Sequence, residues 1–367
     1  MSTNNQPLMD YIPNRHLLSL SGTPYFWNIN GIRKDGDKAI VSGWALPAGG
    51  RIRSSNILID GNKRGRVNFS ENETVARLYP WWPNARMSQF SLEVSVAEFD
   101  LMAREEIVVE STSAETSDGG RRNKTAFYFR PADMQSAFPD EVISSRIGTN
   151  NPFQFSMSGL TLARQFTRVF EAATERKWTD NDMICDWGCG SGRVARHIVR
   201  DLAPHQEFIG FDIDGPAVEW ATRHIAPMFR QTEMEPPLPF DAGGIDVVYA
   251  YSVFTHLTLP HIRKWVSEMA RVIKKGGHFI FTILSDTALV ALMPYADEAL
   301  IAQFSSQGGY DIVKNAQLES INVSGDYYRN AWYTKNVIRN ELQELFEVLL
   351  IEENFHFYQD VVVCRRR

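Results

Sequence analysis

The sequence predicts two folds in one chain: an all-β sandwich followed by an α/β layer with a parallel sheet. Three observations carry this. Residues 183–193 read MICDWGCGSGR, an apolar run that ends on Asp186 and continues into Gly188, Gly190 and Gly192 at alternate positions. Val194, Ile198 and Leu202 then recur at i, i+4 and i+8, the period of an amphipathic helix. Strand, glycine loop and helix together make the first unit of a doubly wound, nucleotide-binding sheet. The second observation is the alternation of strand-like and helix-like runs from Asp182 onward. The third is the stretch from Pro24 to about Arg130, where short β-branched and aromatic runs alternate with turn signals.

Length supports two domains: 367 residues against roughly 150 per domain. Hydrophobic residues make up 44% and charged residues 22%, enough apolar material for a core in each. We divide the chain into a flexible N-terminus at 1–22, a sandwich at 23–131, a connector at 132–158 and the α/β domain at 159–367. The net charge of −6 argues against nucleic acid as the main partner. The closing Arg365, Arg366 and Arg367 read as a solvated tail. Three cysteines form no disulfide framework and have no partner at metal-ligand spacing, so no metal is expected. A reducing, cytoplasmic compartment follows. The first residues lack a basic stretch leading into an apolar one, so no signal peptide is expected. No apolar run approaches about 18 residues, so no membrane span is expected.

In the first domain the strand-like runs are 25–27, 39–41, 57–59, 90–94, 107–109 and 126–129. The turn signals include 34–37, 47–50 and 60–62, and the polar stretch 113–124 suits an exposed hairpin tip. Seven or eight short strands point to a sandwich. The stretch 42–46 (SGWAL) resembles a motif of small β-sandwich modules fused to bacterial glycan-modifying enzymes. Trp44 within it reads as a core tryptophan, with a sugar platform as the alternative. Residues 131–152 carry prolines and little periodicity. Leu160, Leu162, Phe166, Val169 and Phe170 then outline a helix. Strand one follows at 183–186, strand two at 207–212, strand four at 246–251 and strand five at 278–284. A helix from His261 is expected to stop at Gly276-Gly277. Another, from Lys335, leads to two closing apolar runs.

The glycine spacing is G-x-G-x-G, one residue tighter than the dinucleotide fingerprint. Asp186 sharpens that difference. A carboxylate at the loop edge repels a pyrophosphate but favours the ammonium and sulfonium of S-adenosyl-L-methionine. Asp212, ending strand two, is placed to accept hydrogen bonds from ribose hydroxyls. Asp214 reads as a helix N-cap, since Gly215-Pro216 follows. Strand four runs into Tyr251, Ser252, Phe254 and His256, which face or flank a cleft beyond the strand ends.

These residues resemble those of class I S-adenosylmethionine-dependent methyltransferases, and a bacterial subgroup linked to glycan assembly. The match runs from about Arg146 to the C-terminus, through 185–193, 210–214, 236–240, 251–257 and 271–277. It implies a Rossmann-like, seven-stranded sheet whose last strand is antiparallel, and the closing pair of runs fits that hairpin. It implies S-adenosyl-L-methionine as cofactor, with Gly188, Gly190 and Gly192 on its methionine part and Asp212 on its ribose; Asp186, Cys189, Arg193, Ile213, Tyr251 and Ser252 are further expected cofactor contacts. Glu233 and Met234 are the expected adenine contacts after strand three. Arg146 and Arg193 are each either carboxylate ligands or surface and cap residues.

His256 is the expected general base for a hydroxyl acceptor, with helix initiation beside Thr255 as the alternative. Tyr327, Tyr328, Arg329 and Trp332 are the expected acceptor contacts in a lid between strand five and the last helix, with packing of the lid against the domain as the alternative, above all for Trp332. The expected activity is methyl transfer to a sugar or glycan intermediate. Its rivals are another small molecule, a protein side chain, or a cofactor-binding module without turnover. A further reading gives the sandwich the main role, in self-association or glycan docking.

Overall fold

The structure is a computed structural model. It describes residues 25–47, 55–67, 69–79, 85–95, 105–113, 126–146, 151–288, 298–321 and 323–367. The expected flexible N-terminus and most of the expected hairpin tip at 113–124 lie outside the described residues. Two compact units meet in the sequence between Ala132 and Asp133.

The first unit contributes β1 (Tyr25–Asp35), β2 (Lys38–Pro47), β3 (Ser55–Ile59), β4 (Asn62–Val67), β5 (Gln89–Ser95), β6 (Ile107–Ser113) and β7 (Phe127–Phe129). They form two small antiparallel sheets, ordered β1-β2-β5 and β4-β3-β6-β7. Asp60 and Gly61 join β3 to β4 with φ of 50° and 74°, the left-handed pair that a two-residue hairpin needs. Gly43 in β2 is required by close packing. A Cβ there would lie 2.1 Å from the Asn28 carbonyl and 2.7 Å from the Phe90 ring. Trp44 is half-buried, with its ring centroid 6.0 Å from that of Tyr79. Trp27 of one sheet meets Phe127 of the other edge to face at 4.9 Å. A short helix, α1 (Glu73–Leu78), is capped by Asn72, whose side chain accepts from the Val75 amide at 2.9 Å.

The second unit opens with α2 (Glu141–Arg146) and α3 (Pro152–Thr174). Asn151 caps α3 by accepting from the Gln154 amide at 2.8 Å, and Pro152 takes the first helical position. The helix therefore starts inside the stretch read as a connector. Its first turns bury Phe153, Phe155, Met157 and Gly159, so no polar face marks its period.

The sheet strands are β8 (Met183–Trp187), β9 (Glu207–Asp212), β10 (Phe229–Gln231), β11 (Ile245–Ala250) and β12 (Ile273–Ile283). β13 (Gly309–Lys314) and β14 (Arg329–Tyr333) pair apart from them, and β15 (Phe346–His356) and β16 (Gln359–Arg366) close the sheet. The order is β10-β9-β8-β11-β12-β16-β15. Pairing is parallel from β10 to β12 and antiparallel at β12–β16 and β15–β16. The intervening helices are α4 (Ala195–Arg200), α5 (Gly215–His224), α6 (Leu259–Val272), α7 (Glu298–Gln307) and α8 (Lys335–Leu342). One core layer holds Trp187, Phe254, Trp265 and Phe279, and the other holds Phe166, Phe170, Trp178 and Tyr249. Burial on both faces explains the continuous apolar runs of the central strands.

One boundary differs from expectation. The helix ends at Val272, not at Gly276-Gly277, and β12 begins at Ile273. The glycines belong to the strand, where its register with β11 shifts between Ile245 and Val247. Gly276 has φ of 76°, and a Cβ on Gly277 would lie 2.7 Å from the Asp246 carbonyl. They mark an irregularity in the ladder.

Candidate active site

Strand order reverses between β8 and β11. Ligands of such sheets bind beyond the carboxyl ends at that point. The glycine loop lies there, with φ of 82°, 51° and 73° at Gly188, Gly190 and Gly192. The Gly188 and Cys189 amides donate to the Phe211 carbonyl at 2.8 and 3.1 Å. A Cβ on Gly188 would lie 2.3 Å from Val253 Cγ2, so this position needs glycine for space and for conformation. α3 supports the loop from outside: a Cβ on Gly159 would lie 2.0 Å from the Arg193 carbonyl.

Asp186 sits buried at the strand end, and the Tyr249 hydroxyl donates to its Oδ2 at 3.0 Å. Burial pushes its carboxyl up to about 8, against the lowering effects of Tyr249 and of Arg193. Asp212 takes the Gly190 amide on Oδ2 at 2.6 Å and the Asp214 amide on Oδ1 at 2.8 Å. It thus braces the glycine loop, and each oxygen keeps a second lone pair. Burial raises it to about 6, opposed by those backbone bonds. Asp214 caps α5, accepting from the Ala217 amide at 3.2 Å. Arg146 clamps both Asp214 oxygens at 2.8 and 2.7 Å, so its guanidinium serves the cap.

Beyond β11, Arg193 lies over the Tyr251 ring at 5.3 Å and donates to Ser158 Oγ at 3.4 Å. Ser252 has φ of 60°. Its amide donates to Thr282 Oγ1 at 2.8 Å, and its hydroxyl pairs with Thr255 Oγ1 at 2.9 Å. These bonds hold a conformation that a non-glycine residue rarely adopts.

His256 follows on a single helical turn, Phe254–His256. Its Nδ1 lies 2.8 Å from the Arg329 carbonyl. A carbonyl only accepts, so Nδ1 carries the proton and Nε2 is the free acceptor. No hydrogen bond reaches Nε2 among the described residues. Burial lowers the imidazole to about 4, against the raising effect of the Arg329 carbonyl. The Tyr328 ring stacks on His256 at 4.2 Å with planes 17° apart.

The structure separates the remaining expected residues. The Tyr327 hydroxyl donates to the Met234 carbonyl and accepts from Trp265 Nε1 at 3.3 Å, joining the segment before β14 to the loop after β10. Glu233 and Met234 are exposed, and the Ile213 carbonyl accepts from Gln231 Nε2 at 3.3 Å. Cys189 is buried as a free thiol. Arg329 does not aim at an acceptor. Its guanidinium donates to the Asp326 and Ile312 carbonyls at 2.9 and 3.0 Å and folds the hairpin it belongs to. Trp332 is 7% exposed and packs near Tyr310, its register partner in β13, which removes it from the acceptor side. Sequence reasoning missed Tyr249, Thr255 and Thr282 as partners. Tyr249 carries a signal, as a hydroxyl inside the apolar run DVVYAY.

The residues present fit S-adenosyl-L-methionine. The loop is open only to glycine, one buried carboxyl awaits a cation, and a second retains acceptor capacity. Among the described residues no cluster of three or more His, Cys, Asp or Glu is arranged to hold a metal. No helix among them is long and apolar enough to cross a membrane.

Residues 184–277 match the family described as a methyltransferase domain. The chain is 29% identical over 133 residues to a ubiquinone biosynthesis O-methyltransferase of Alkalilimnicola ehrlichii, covering 35% of this chain and 52% of that one. It is 29% identical over 112 residues to a malonyl-[acyl-carrier protein] O-methyltransferase of Hahella chejuensis, covering 30% and 39%. The chain thus spans about half the length, or less, of these relatives. Among solved structures, magnesium protoporphyrin IX methyltransferase of Synechocystis aligns with a TM-score of 0.40 at 15% identity, over 61% of this chain and 92% of that one. The segment similar to a methyltransferase domain thus lies in a sheet with a glycine loop at its strand reversal and an antiparallel finish.

Proposed function

We propose that the chain transfers a methyl group from S-adenosyl-L-methionine to a hydroxyl of a sugar or glycan intermediate. The observation that carries the reading is His256: neutral, fixed in one tautomer, with Nε2 unpaired beside the strand reversal. When bound, the cofactor supplies an electrophilic methyl on a good leaving group. The residues of the chain do the rest. The backbone of Gly188, Gly190 and Gly192 admits the methionine part, with Cys189, Arg193, Tyr251 and Ser252 around it. Asp186 answers its positive charge and Asp212 the ribose hydroxyls, flanked by Ile213. Glu233 and Met234 stand at the adenine end. His256 Nε2 takes the acceptor's proton, while Tyr327 and Tyr328 wall the acceptor side. Positioning supplies much of the rate in such a displacement. Both relatives above are named as O-methyltransferases, which supports oxygen as the acceptor atom.

The sugar assignment rests on the aromatic wall and on the SGWAL stretch of the first unit. In this reading the two small sheets, whose rings meet at Trp27 and Phe127, close as a β-sandwich that docks glycan or a second chain. The buried free thiols Cys185, Cys189 and Cys364 suit a reducing cytoplasm. The test has two arms. Calorimetric titration of the full chain is expected to show binding of S-adenosylmethionine and none of NAD. Release of S-adenosylhomocysteine is expected with a nucleotide sugar and not without one. Cofactor binding with no release across nucleotide sugars would leave a binding module in place of the enzyme.

A further inference from the structure

The turn between β15 and β16 gathers polar side chains that the fold leaves unpaired. His356 ends β15, Gln359 starts β16, and the two are register partners across Phe357 and Tyr358. β16 runs antiparallel to β12, with Asp360 opposite Ile283 at the end of that strand. The turn therefore lies at the sheet edge where the parallel strands end. Tyr251, one residue past β11, meets the His356 ring edge to face at 5.6 Å. Gln359 Nε2 donates to Ser252 Oγ at 3.1 Å.

His356 is 2% exposed and Gln359 is 7% exposed. His356 Nδ1 and Gln359 Oε1 are buried with no partner, and no hydrogen bond reaches His356 Nε2 among the described residues. Leaving such a group buried and unpaired is costly, so two on one turn need an explanation. Burial keeps His356 neutral, lowering it to about 3 with the Arg193 charge adding to the shift. Backbone strain collects around the same groups. Ser252, Asn354 and Phe357 have φ of 60°, 52° and 52°. Non-glycine residues in this region mark sites where surrounding structure holds a costly conformation.

The geometry points to this turn as a recognition subsite for the acceptor, in which His356 and Gln359 hydrogen-bond a second hydroxyl of a polyhydroxylated molecule. The inference rests on the hydroxyl-acceptor reading above. A hydroxyl donates to Gln359 Oε1 and accepts from the imidazole N–H, matching both orphans at once. A carboxylate leaves Oε1 unmatched, and a cation meets Arg193. The pair sets specificity; it is not part of proton transfer.

The test titrates the full chain, saturated with S-adenosylhomocysteine, with UDP-glucose and with GDP-mannose, in wild type, His356→Phe and Gln359→Leu. Binding of at least one sugar is expected, about tenfold weaker in each variant, the loss of one hydrogen bond in a dry site. The variants are expected to lose more affinity for sugar than for S-adenosylhomocysteine, since the pair touches Tyr251 and Ser252 without being among the cofactor contacts itself. Gln359→Met, of nearly the same size and without the acceptor, serves where leucine prevents folding, and the same weakening is expected. Unchanged sugar binding with a raised Tm in the apolar variants overturns the subsite and makes the pair structural. A loss of S-adenosylhomocysteine affinity as large as the loss of sugar affinity also overturns it, assigning the pair to the cofactor. Wild type that binds the cofactor product but neither sugar overturns it as well. Wild type that fails to bind S-adenosylhomocysteine fells the methyltransferase reading itself, and is seen before any sugar is added.

Discussion

The two sides of the strand reversal are built by different means. On the β8–β9 side the site is backbone: three glycines at positive φ, two loop amides on the Phe211 carbonyl, and a third on Asp212. On the β11–β16 side it is side chain: His256, Tyr328, Ser252, His356 and Gln359, drawn from segments far apart in the sequence. The first side pairs its loop amides internally and leaves one buried hydroxyl, Ser191 Oγ, without a partner. The second leaves Nε2 of His256 and the polar atoms of the last hairpin open. A fixed cofactor calls for a rigid backbone cradle, while an acceptor is read by the chemistry of individual side chains.

The comparison breaks most sharply at Gly188. Gly188→Ala forces a side chain at φ of 82° into contact with Val253 Cγ2. Strain of about 1–3 kcal/mol predicts roughly 5- to 150-fold weaker S-adenosylmethionine binding by calorimetry, with the fold retained. Wild-type affinity in this variant would mean that the loop is not the cradle.

The next test is electrostatic. Asp186 titrates at about 8 in the free protein, so it is largely protonated at neutral pH. A cationic ligand prefers the carboxylate, so binding releases a proton and tightens as pH rises. One group at about 8, pulled well down on binding, makes affinity about twentyfold weaker at pH 6 than at pH 7.5. The expected Asp186→Asn variant binds weakly at both pH values and loses the slope. A pH-independent wild type contradicts the carboxyl's role.

Stability gives a signal of opposite kind. His256 and His356 are lowered to about 4 and 3 by burial. For each, the unfolded chain binds protons first as pH falls below about 6.5. Their contribution is complete above that value and is lost progressively toward pH 4. Denaturant midpoints of His356→Phe are expected to fall less steeply than wild type across that window. Smallest in catalysis is Arg329→Lys. It removes donors to the Asp326 and Ile312 carbonyls, which costs stability of roughly 1–2 kcal/mol by denaturant melts. The acceptor KM is expected to stay unchanged, because the guanidinium faces its own hairpin.

Legibility in the sequence follows the same divide. A glycine loop and the acids beside it are local, so Asp186, Gly188 and Asp212 are readable within a few residues of one another. β9 is readable at both ends, because Glu207–Asp212 is an uninterrupted run with a polar start. Gly276 and Gly277 mislead, since glycine ends helices as readily as it bends strands, and only pairing with β11 decides. Arg329 misleads for a different reason, and for Trp332 the packing alternative is the one the structure favours. Composition marks an aromatic, basic segment but not which way its side chains turn, and register with β13 turns Trp332 inward. His356 and Gln359 are silent in the sequence, because their meaning comes from Tyr251 and Ser252, about a hundred positions away.

The central claim is that His256 serves the acceptor side alone. The direct measurement is acceptor-dependent release of S-adenosylhomocysteine by His256→Ala, with S-adenosylmethionine affinity measured on the same preparation. The account predicts cofactor binding within about twofold of wild type and turnover lowered by roughly 10²-fold, as for other general bases, with a wild-type rate that, at saturating cofactor and acceptor, stays flat from pH 8 down to about 5. Unchanged turnover at saturating acceptor, or a loss of cofactor affinity that matches the loss of rate, would contradict it.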